Sequence, residues 1–286
     1  MLKVTLPGGT IEVTEDGPVD GPAVVLFHGF MVDERLWEPI VPALAAAGLR
    51  VVRPTLPIGS HRIPLGTAPS PRGVAHLLAD LIEHLDLHDV TLVGNDSGGA
   101  MSQMLLAERP ERIGRVVLTN CDTADNFPPF PFNVLFLGLS KVPRVLHQVM
   151  RLSNATGATR MLFGWLTSRG FDRALVDSWA RPYLADSAIQ GETDQFLQAV
   201  NPQELQGAET RIRELDLPLL LLWGTDDRFF TLRHARRLAN LLRNARIVEV
   251  PNAKTFVMHD APERVATEII AFSPARVATE ALTPTP

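Results

Sequence analysis

One cysteine, Cys121, and one tyrosine, Tyr183, are all that the 286 residues hold of those two types. A single thiol excludes an internal disulfide framework and any cysteine-built metal cluster. A single phenol leaves room for one tyrosyl donor and never a pair. No apolar run approaches the roughly 20 residues that cross a bilayer. Met1 to Leu6 enters a strand pattern at once, with no secretory leader before it. A cytoplasmic protein with no membrane partner is therefore expected. Phosphate loops, dinucleotide fingerprints and His-x-x-x-His spacings are also missing, so no cofactor and no metal are expected. Positive charge is short: 27 Lys and Arg stand against 32 Asp and Glu, a net charge of -5. That balance argues against nucleic acid as a partner and leaves a small molecule. Nothing in the chain chooses between a monomer and a homodimer.

What is present is enough apolar sequence to bury a full core, alone or with an insertion; hydrophobic residues make up 45% of the chain. Lys3–Leu6 and Ile11–Glu15, joined by Pro7-Gly8-Gly9, read as an opening hairpin. Ala23–Phe27 is a short continuous apolar run, as in a strand buried on both faces. Trp37–Ala47 reads as a helix stopped by Gly48, and Leu49–Arg53 as the next strand. A loop rich in Pro and Gly covers 55–70. Pro71 then opens a helix with Val74, Leu77, Leu78, Leu81, Ile82 and Leu85 at helical spacing. Val90–Val93 and Arg115–Thr119 are further strands, with a helix over Met101–Ala107 between them.

Strands alternating with helices imply a mainly parallel sheet. The alternation stops at Asp122, and the Pro- and Phe-rich run 126–132 marks a boundary. From 133 to 214 only helical patterns appear, carrying Phe136, Phe163, Trp165, Phe171, Trp179 and Phe196. Alternation resumes with a strand at Leu219–Trp223, a helix over Leu232–Leu242, a strand at Ile247–Val250 and a helix over Pro262–Phe272. The expected organisation is a first core part over 1–122, a helical cap over 123–215, a second core part over 216–273 and a flexible tail over 274–286. Arg-Val-Ala-Thr-Glu occurs at 264 and again at 276, too short a coincidence to imply a repeat architecture.

The most informative stretch is Leu92-Val93-Gly94-Asn95-Asp96-Ser97-Gly98-Gly99. Glycines at 94, 98 and 99 clear side chains where a strand turns into a helix without a loop. That spacing fits a nucleophile elbow, Gly-x-Nuc-x-Gly, whose central residue stands exposed on a strained turn. Gly94 and Gly98 flank Asp96 at minus two and plus two, so Asp96 is the expected nucleophile. Ser97, one place later, is the alternative.

The elbow, His28-Gly29 after an early strand, Gly224-Thr225-Asp226-Asp227 after a late one, and the order of elements together resemble the α/β-hydrolase fold with a helical cap. An aspartate at the elbow resembles the branch of haloalkane dehalogenases, fluoroacetate dehalogenases and epoxide hydrolases. That resemblance implies a carboxylate attacking an electrophilic carbon, an alkyl ester on the enzyme, and water activated by a histidine to release it. It implies oxyanion donors at the backbone N–H of Phe30 and Ser97, and Asp227 as the acid behind the histidine. Asp122 is a second candidate for that acid. His28 in a His-Gly turn is expected to bond loop backbone, and His61 and His234 to lie at the surface or in loops.

Five positions depart from the family pattern. Aligning Phe256 and Asp260-Ala261-Pro262-Glu263 puts Thr255 where the family has its histidine and Lys254 where it has glycine. Threonine takes no proton near neutral pH. His259, four residues on, is the displaced candidate base, and Lys254 could serve only with a pKa depressed by burial. The tryptophan that often follows the nucleophile of dehalogenases is Ser97 here. The proline usual after His-Gly-x is Met31, and the paired cap tyrosines of epoxide hydrolases reduce to Tyr183. The expected function is an enzyme acting on a small apolar substrate with a C–halogen, epoxide or ester bond through Asp96. A non-hydrolytic binding or lyase-type descendant, and an esterase using Ser97, are the competing readings.

Overall fold

The structure, a computed structural model, describes residues 1–142 and 144–274, with the Phe136 side chain excepted. The expected flexible tail from 275 onward, and the second copy of the pentapeptide, lie outside the described residues. Eight strands form one sheet: β1 (Leu2–Leu6), β2 (Gly9–Asp16), β3 (Ala23–Phe27), β4 (Arg50–Pro54), β5 (Val90–Asp96), β6 (Ile113–Cys121), β7 (Leu219–Gly224) and β8 (Ala245–Val250). Their order across the sheet is β1-β2-β4-β3-β5-β6-β7-β8. β1, β2 and β4 pair antiparallel, and every pair from β4 to β8 is parallel. Every residue of β3 and of β7 is buried, which is why both read as unbroken apolar runs. The sheet is that of the α/β-hydrolase fold.

The helices of the two core parts are α1 (Val41–Ala46), α2 (Pro71–His84) and α3 (Ser97–Glu108) before the insertion, and α10 (Leu232–Leu241), α11 (Val257–Asp260) and α12 (Pro262–Phe272) after it. The chain runs from β3 out to β4 and then back past β3 to β5. Right-handed crossovers in opposite directions put α1 on one face of the sheet and α2 on the other. α12 packs with α1, and α3 packs with α2. The single helix expected over Trp37–Ala47 is instead a 3-10 turn, Glu34–Trp37, followed by α1. Pro39 and Pro42 lack the N–H groups that a continuous helix would need there.

Between β6 and β7 come α4 (Phe132–Ser140), α5 (Val145–Thr156), α6 (Ala158–Trp165), α7 (Arg173–Ala185), α8 (Ser187–Gln198) and α9 (Pro202–Ile212). α9 packs on α3, so the chain has returned to the sheet layer before β7 begins. α7 is bound to the loop after β3 by polar side chains. Asp33 accepts a hydrogen bond from the Trp179 indole N–H at 2.8 Å, and Ser178 accepts one from Arg35 at 2.8 Å. Glu192 of α8 accepts from the backbone N–H of Leu65 and Gly66 and pairs with His61 at 3.0 Å, fixing the long loop after β4.

Candidate active site

β5 lies between β3 and β6, and its last residue is Asp96. There the chain turns directly into α3, with Asp96 at φ 53° and ψ -128°, a conformation L-residues avoid. The turn closes only because two neighbours lack side chains. A Cβ on Gly98 would stand 2.4 Å from the Phe27 carbonyl oxygen, and one on Gly29 would stand 2.2 Å from Asp96 Oδ2.

The Asp96 carboxyl accepts hydrogen bonds from the backbone N–H of Phe30 and of Ser97. Burial and the nearby Asp227 charge push its pKa up to about 7, against those two donors. The pair of N–H groups expected from the resemblance thus converges on this carboxyl.

Asp227 follows β7, buried, in a loop tied back to β6. Its Oδ1 accepts from the backbone N–H of Phe229 at 2.8 Å and Phe230 at 3.1 Å. Its Oδ2 accepts from Asn120 Nδ2 at 2.9 Å and from the Thr255 hydroxyl at 2.8 Å. Burial pushes this carboxyl above the usual range, although four donors oppose it. Asn120 also accepts from the Gly224 N–H at 2.6 Å, so one β6 side chain holds both the end of β7 and its acid. Thr255 is wholly buried, and its carbonyl accepts from Asn95 Nδ2 at 2.8 Å, pinning its loop beside the elbow. A hydroxyl therefore makes the bond to Asp227 that the resemblance assigns to an imidazole.

The structure does not bring His259 to this group. Its ring lies against Phe171, centroids 4.3 Å apart, its Nδ1 is 3.5 Å from Thr167 Oγ1, and it is not among the residues that line the cavity over Asp96. Lys254 donates from Nζ to the Thr167 carbonyl at 3.1 Å, also away from Asp96. Both belong to a junction built on Asp260, which accepts from the Thr167 hydroxyl and from the N–H groups of Ser168 and Lys254. His28 bonds loop backbone, as expected: it accepts from the Leu56 N–H at 2.8 Å, and its other nitrogen meets the Gly29 carbonyl at 2.9 Å. The Tyr183 hydroxyl donates to Asp194 at 3.1 Å, and Tyr183 also stays outside the cavity over Asp96.

Asp122 is placed otherwise than the sequence suggested. It does not back a histidine; it lines the same cavity as Asp96, receives a hydrogen bond from the Ser97 side chain, and its Oδ1 has no partner among the described residues. Burial and the Asp96 charge push it well above the usual carboxylate range, against the Ser97 hydrogen bond. The signal for this was the parallel pairing of β5 with β6, whose register sets Asp96 opposite Cys121. The cavity measures about 100 Å³, and its other walls are mostly apolar, among them Phe30, Phe127, Phe132, Phe163 and Phe196. Such a space suits a small uncharged molecule.

The sequence profile of the Alpha/beta hydrolase family matches residues 24–268, and the chain belongs to that family. A protein named haloalkane dehalogenase 2 from Mycobacterium bovis is 27% identical over 267 residues, covering 92% of this chain and 91% of that one. A 2-hydroxy-6-oxononadienedioate/2-hydroxy-6-oxononatrienedioate hydrolase from Cupriavidus pinatubonensis is 26% identical over 247 residues, with 82% and 78% covered. Among solved structures, the epoxide hydrolase CorEH superposes with a TM-score of 0.77 at 18% identity, covering 95% of this chain and 97% of that one. At that identity the likeness is one of fold.

Proposed function

We propose that this hydrolase-family protein takes a small apolar electrophile, an alkyl halide or an epoxide, and forms an alkyl ester on Asp96. One Asp96 oxygen attacks carbon while the other is held by the Phe30 and Ser97 N–H groups; as the ester forms, the C–halogen bond breaks and halide leaves as the anion, or one C–O bond of the epoxide breaks and its oxygen, as an alkoxide, takes a proton from solvent. The observation that carries this reading is a carboxyl at the apex of the elbow, gripped by two backbone donors and opening on an apolar cavity. Asp122 lines the same cavity beside Asp96, and burial with the Asp96 charge raises its affinity for a proton, which suits it to face the departing group. With Thr255 on Asp227, no imidazole among the described residues lines the cavity to activate water, so the ester is long-lived and turnover slow.

Incubation with a panel of alkyl halides and epoxides, followed by peptide mapping by mass spectrometry, tests the proposal. The expected result is a stoichiometric adduct on Asp96 that disappears in Asp96→Asn. Absence of any adduct, or turnover retained in Asp96→Asn, overturns it. The same bond from Thr255 to Asp227 favours a second reading, a binding protein that releases its ligand unchanged; equal affinity in Asp96→Asn would support that one. An esterase using Ser97 is less suited to a site where the Ser97 side chain bonds Asp122, and labelling of Ser97 by a fluorophosphonate would revive it.

A further inference from the structure

The large apolar side chains that the fold leaves exposed are not scattered. Phe130, Val134, Val142, Leu152, Met161 and Trp165 are between 45% and 73% exposed and fall within one stretch of the insertion; the others are Met1, Leu2 and Val19, in or beside the opening hairpin. The same stretch is anomalous in charge. From Asn126 to Phe171 there is no Asp or Glu, while Lys141, Arg144, Arg151, Arg160 and Arg169 add five positive charges. The whole chain carries -5, so the remainder carries -5 - 5 = -10. All five cations are exposed, and none is in an ion pair among the described residues.

Lys141, Arg144, Arg151 and Arg160 lie on or at the ends of three helices that pack in series, while Arg169 follows α6 in the loop beside Asp260. α4 packs on α5 and α5 on α6. Each of the last two turns one face inward: Met150 of α5 and Thr159 and Phe163 of α6 are buried and wall the cavity over Asp96. The opposite face of α5 shows Arg144, Gln148, Arg151, Leu152 and Ala155 at helical spacing, and that of α6 shows Arg160, Met161 and Trp165. Cations on long apolar stems, aliphatic side chains and one tryptophan on the outer face of packed helices are the chemistry of an interfacial surface. An expectation of no membrane partner follows from the lack of a spanning run, and no helix among the described residues is long or apolar enough to cross a membrane. A surface that lies flat on lipid leaves no such run.

We propose that the outer face of α4, α5 and α6 docks on an anionic lipid bilayer, with Leu152, Met161 and Trp165 at the boundary of headgroups and acyl chains and Lys141, Arg144, Arg151 and Arg160 among the headgroups. Charge decides between this occupant and a second copy of the chain. A two-fold dimer through this face would set four cations against four, whereas anionic headgroups complement them. Docking there sets the lipid against the helices that roof the apolar cavity, the side from which a lipophilic substrate partitions. The proposal stands on the insertion alone and does not require Asp96 to be the nucleophile.

The full chain is mixed with vesicles of phosphatidylcholine alone, or with roughly a third phosphatidylglycerol, at low and at roughly 0.5 M salt. Cosedimentation is expected with the anionic vesicles only, falling at least tenfold at high salt. Trp37, Trp179 and Trp223 are wholly buried, so a blue shift of tryptophan emission on binding reports Trp165, and Trp165→Phe abolishes it. Arg151→Glu with Arg160→Glu is expected to weaken binding at least tenfold, and both positions are exposed enough to leave the fold intact, checked by circular dichroism. The proposal is overturned by no cosedimentation with anionic vesicles at low salt, or by binding indifferent to the double reversal. It is also overturned by a dimer in sedimentation velocity that Leu152→Ser with Met161→Ser dissolves while vesicles are ignored.

Discussion

On the proposed reading, Thr255 decides how far the chemistry at Asp96 can run. Its hydroxyl satisfies Asp227 Oδ2 at 2.8 Å and holds the acid loop in place without offering a site for a proton. Asp227, Asn120 and the Gly224 backbone form the cradle in which an imidazole would be oriented. Thr255→His is therefore expected to shorten the life of the Asp96 ester by at least tenfold. The decay of the adduct by intact-mass spectrometry, after excess electrophile is removed, measures this. On the proposed reading the attacking form of Asp96 is the carboxylate, and its pKa is pushed up to about 7 by burial and by Asp227, with Asp122 also facing it. Adduct formation is expected to rise about tenfold per pH unit below 7 and to level off above it. A rate flat from pH 5 to 9 would mean that Asp96 is already ionised at pH 5, its proton affinity not raised by burial, or that another group sets the rate.

At the scale of elements, the elbow is the feature with least freedom. β5 and α3 meet without a loop, and the first turn of α3 lies against the backbone after β3. A methyl on Gly98 would press on the Phe27 and His28 carbonyl oxygens at 2.4 and 2.5 Å, backbone atoms that have nowhere to go. Gly98→Ala is expected to cost roughly 3 kcal/mol in urea unfolding. The elements themselves were largely legible: β3, β5 and β7 as apolar runs, the elbow from its glycine spacing, and Asp227 from its place after a late strand. What escaped the sequence depends on register and on contacts between distant segments. Asp122 reaches the cavity because β6 pairs with β5, and nothing in its local sequence says so. His259 is held away because Thr255 is tied to Asn95 and because Asp260 gathers Thr167 and Lys254 around itself. The break in the helix expected over 37–47 was open to reading, since Pro39 and Pro42 stand inside it.

Over the whole molecule, two groups of carboxylates set opposite responses to pH. Burial acts to raise Asp33, but the Arg35 hydrogen bonds and charge and the Trp179 indole N–H hold it below the usual range. Glu192, with burial likewise outweighed by His61 and the Leu65 and Gly66 N–H groups, is also held low. These acids stabilise the fold above their unfolded pKa, and that contribution is lost as pH falls through the lower folded value. Asp96 behaves in the opposite way. Folded, it binds its proton more tightly than the unfolded chain does. Its contribution is complete below the unfolded value near 3.8 and is lost as pH rises to about 7. Stability should therefore peak on the acid side of neutral. Asp96→Asn isolates the second effect, because an amide keeps the shape and can still accept from Phe30 and Ser97 but does not ionise. Each tenfold change in proton affinity is worth about 1.4 kcal/mol, so the variant is expected to exceed the natural protein at pH 8 by up to ~4 kcal/mol, shrinking to a small difference near pH 4. Melting temperatures of both proteins across that range measure it. A constant offset at every pH would mean that the Asp96 carboxyl is ionised in the folded state at acid pH as well, with its burial compensated by groups other than the two backbone donors.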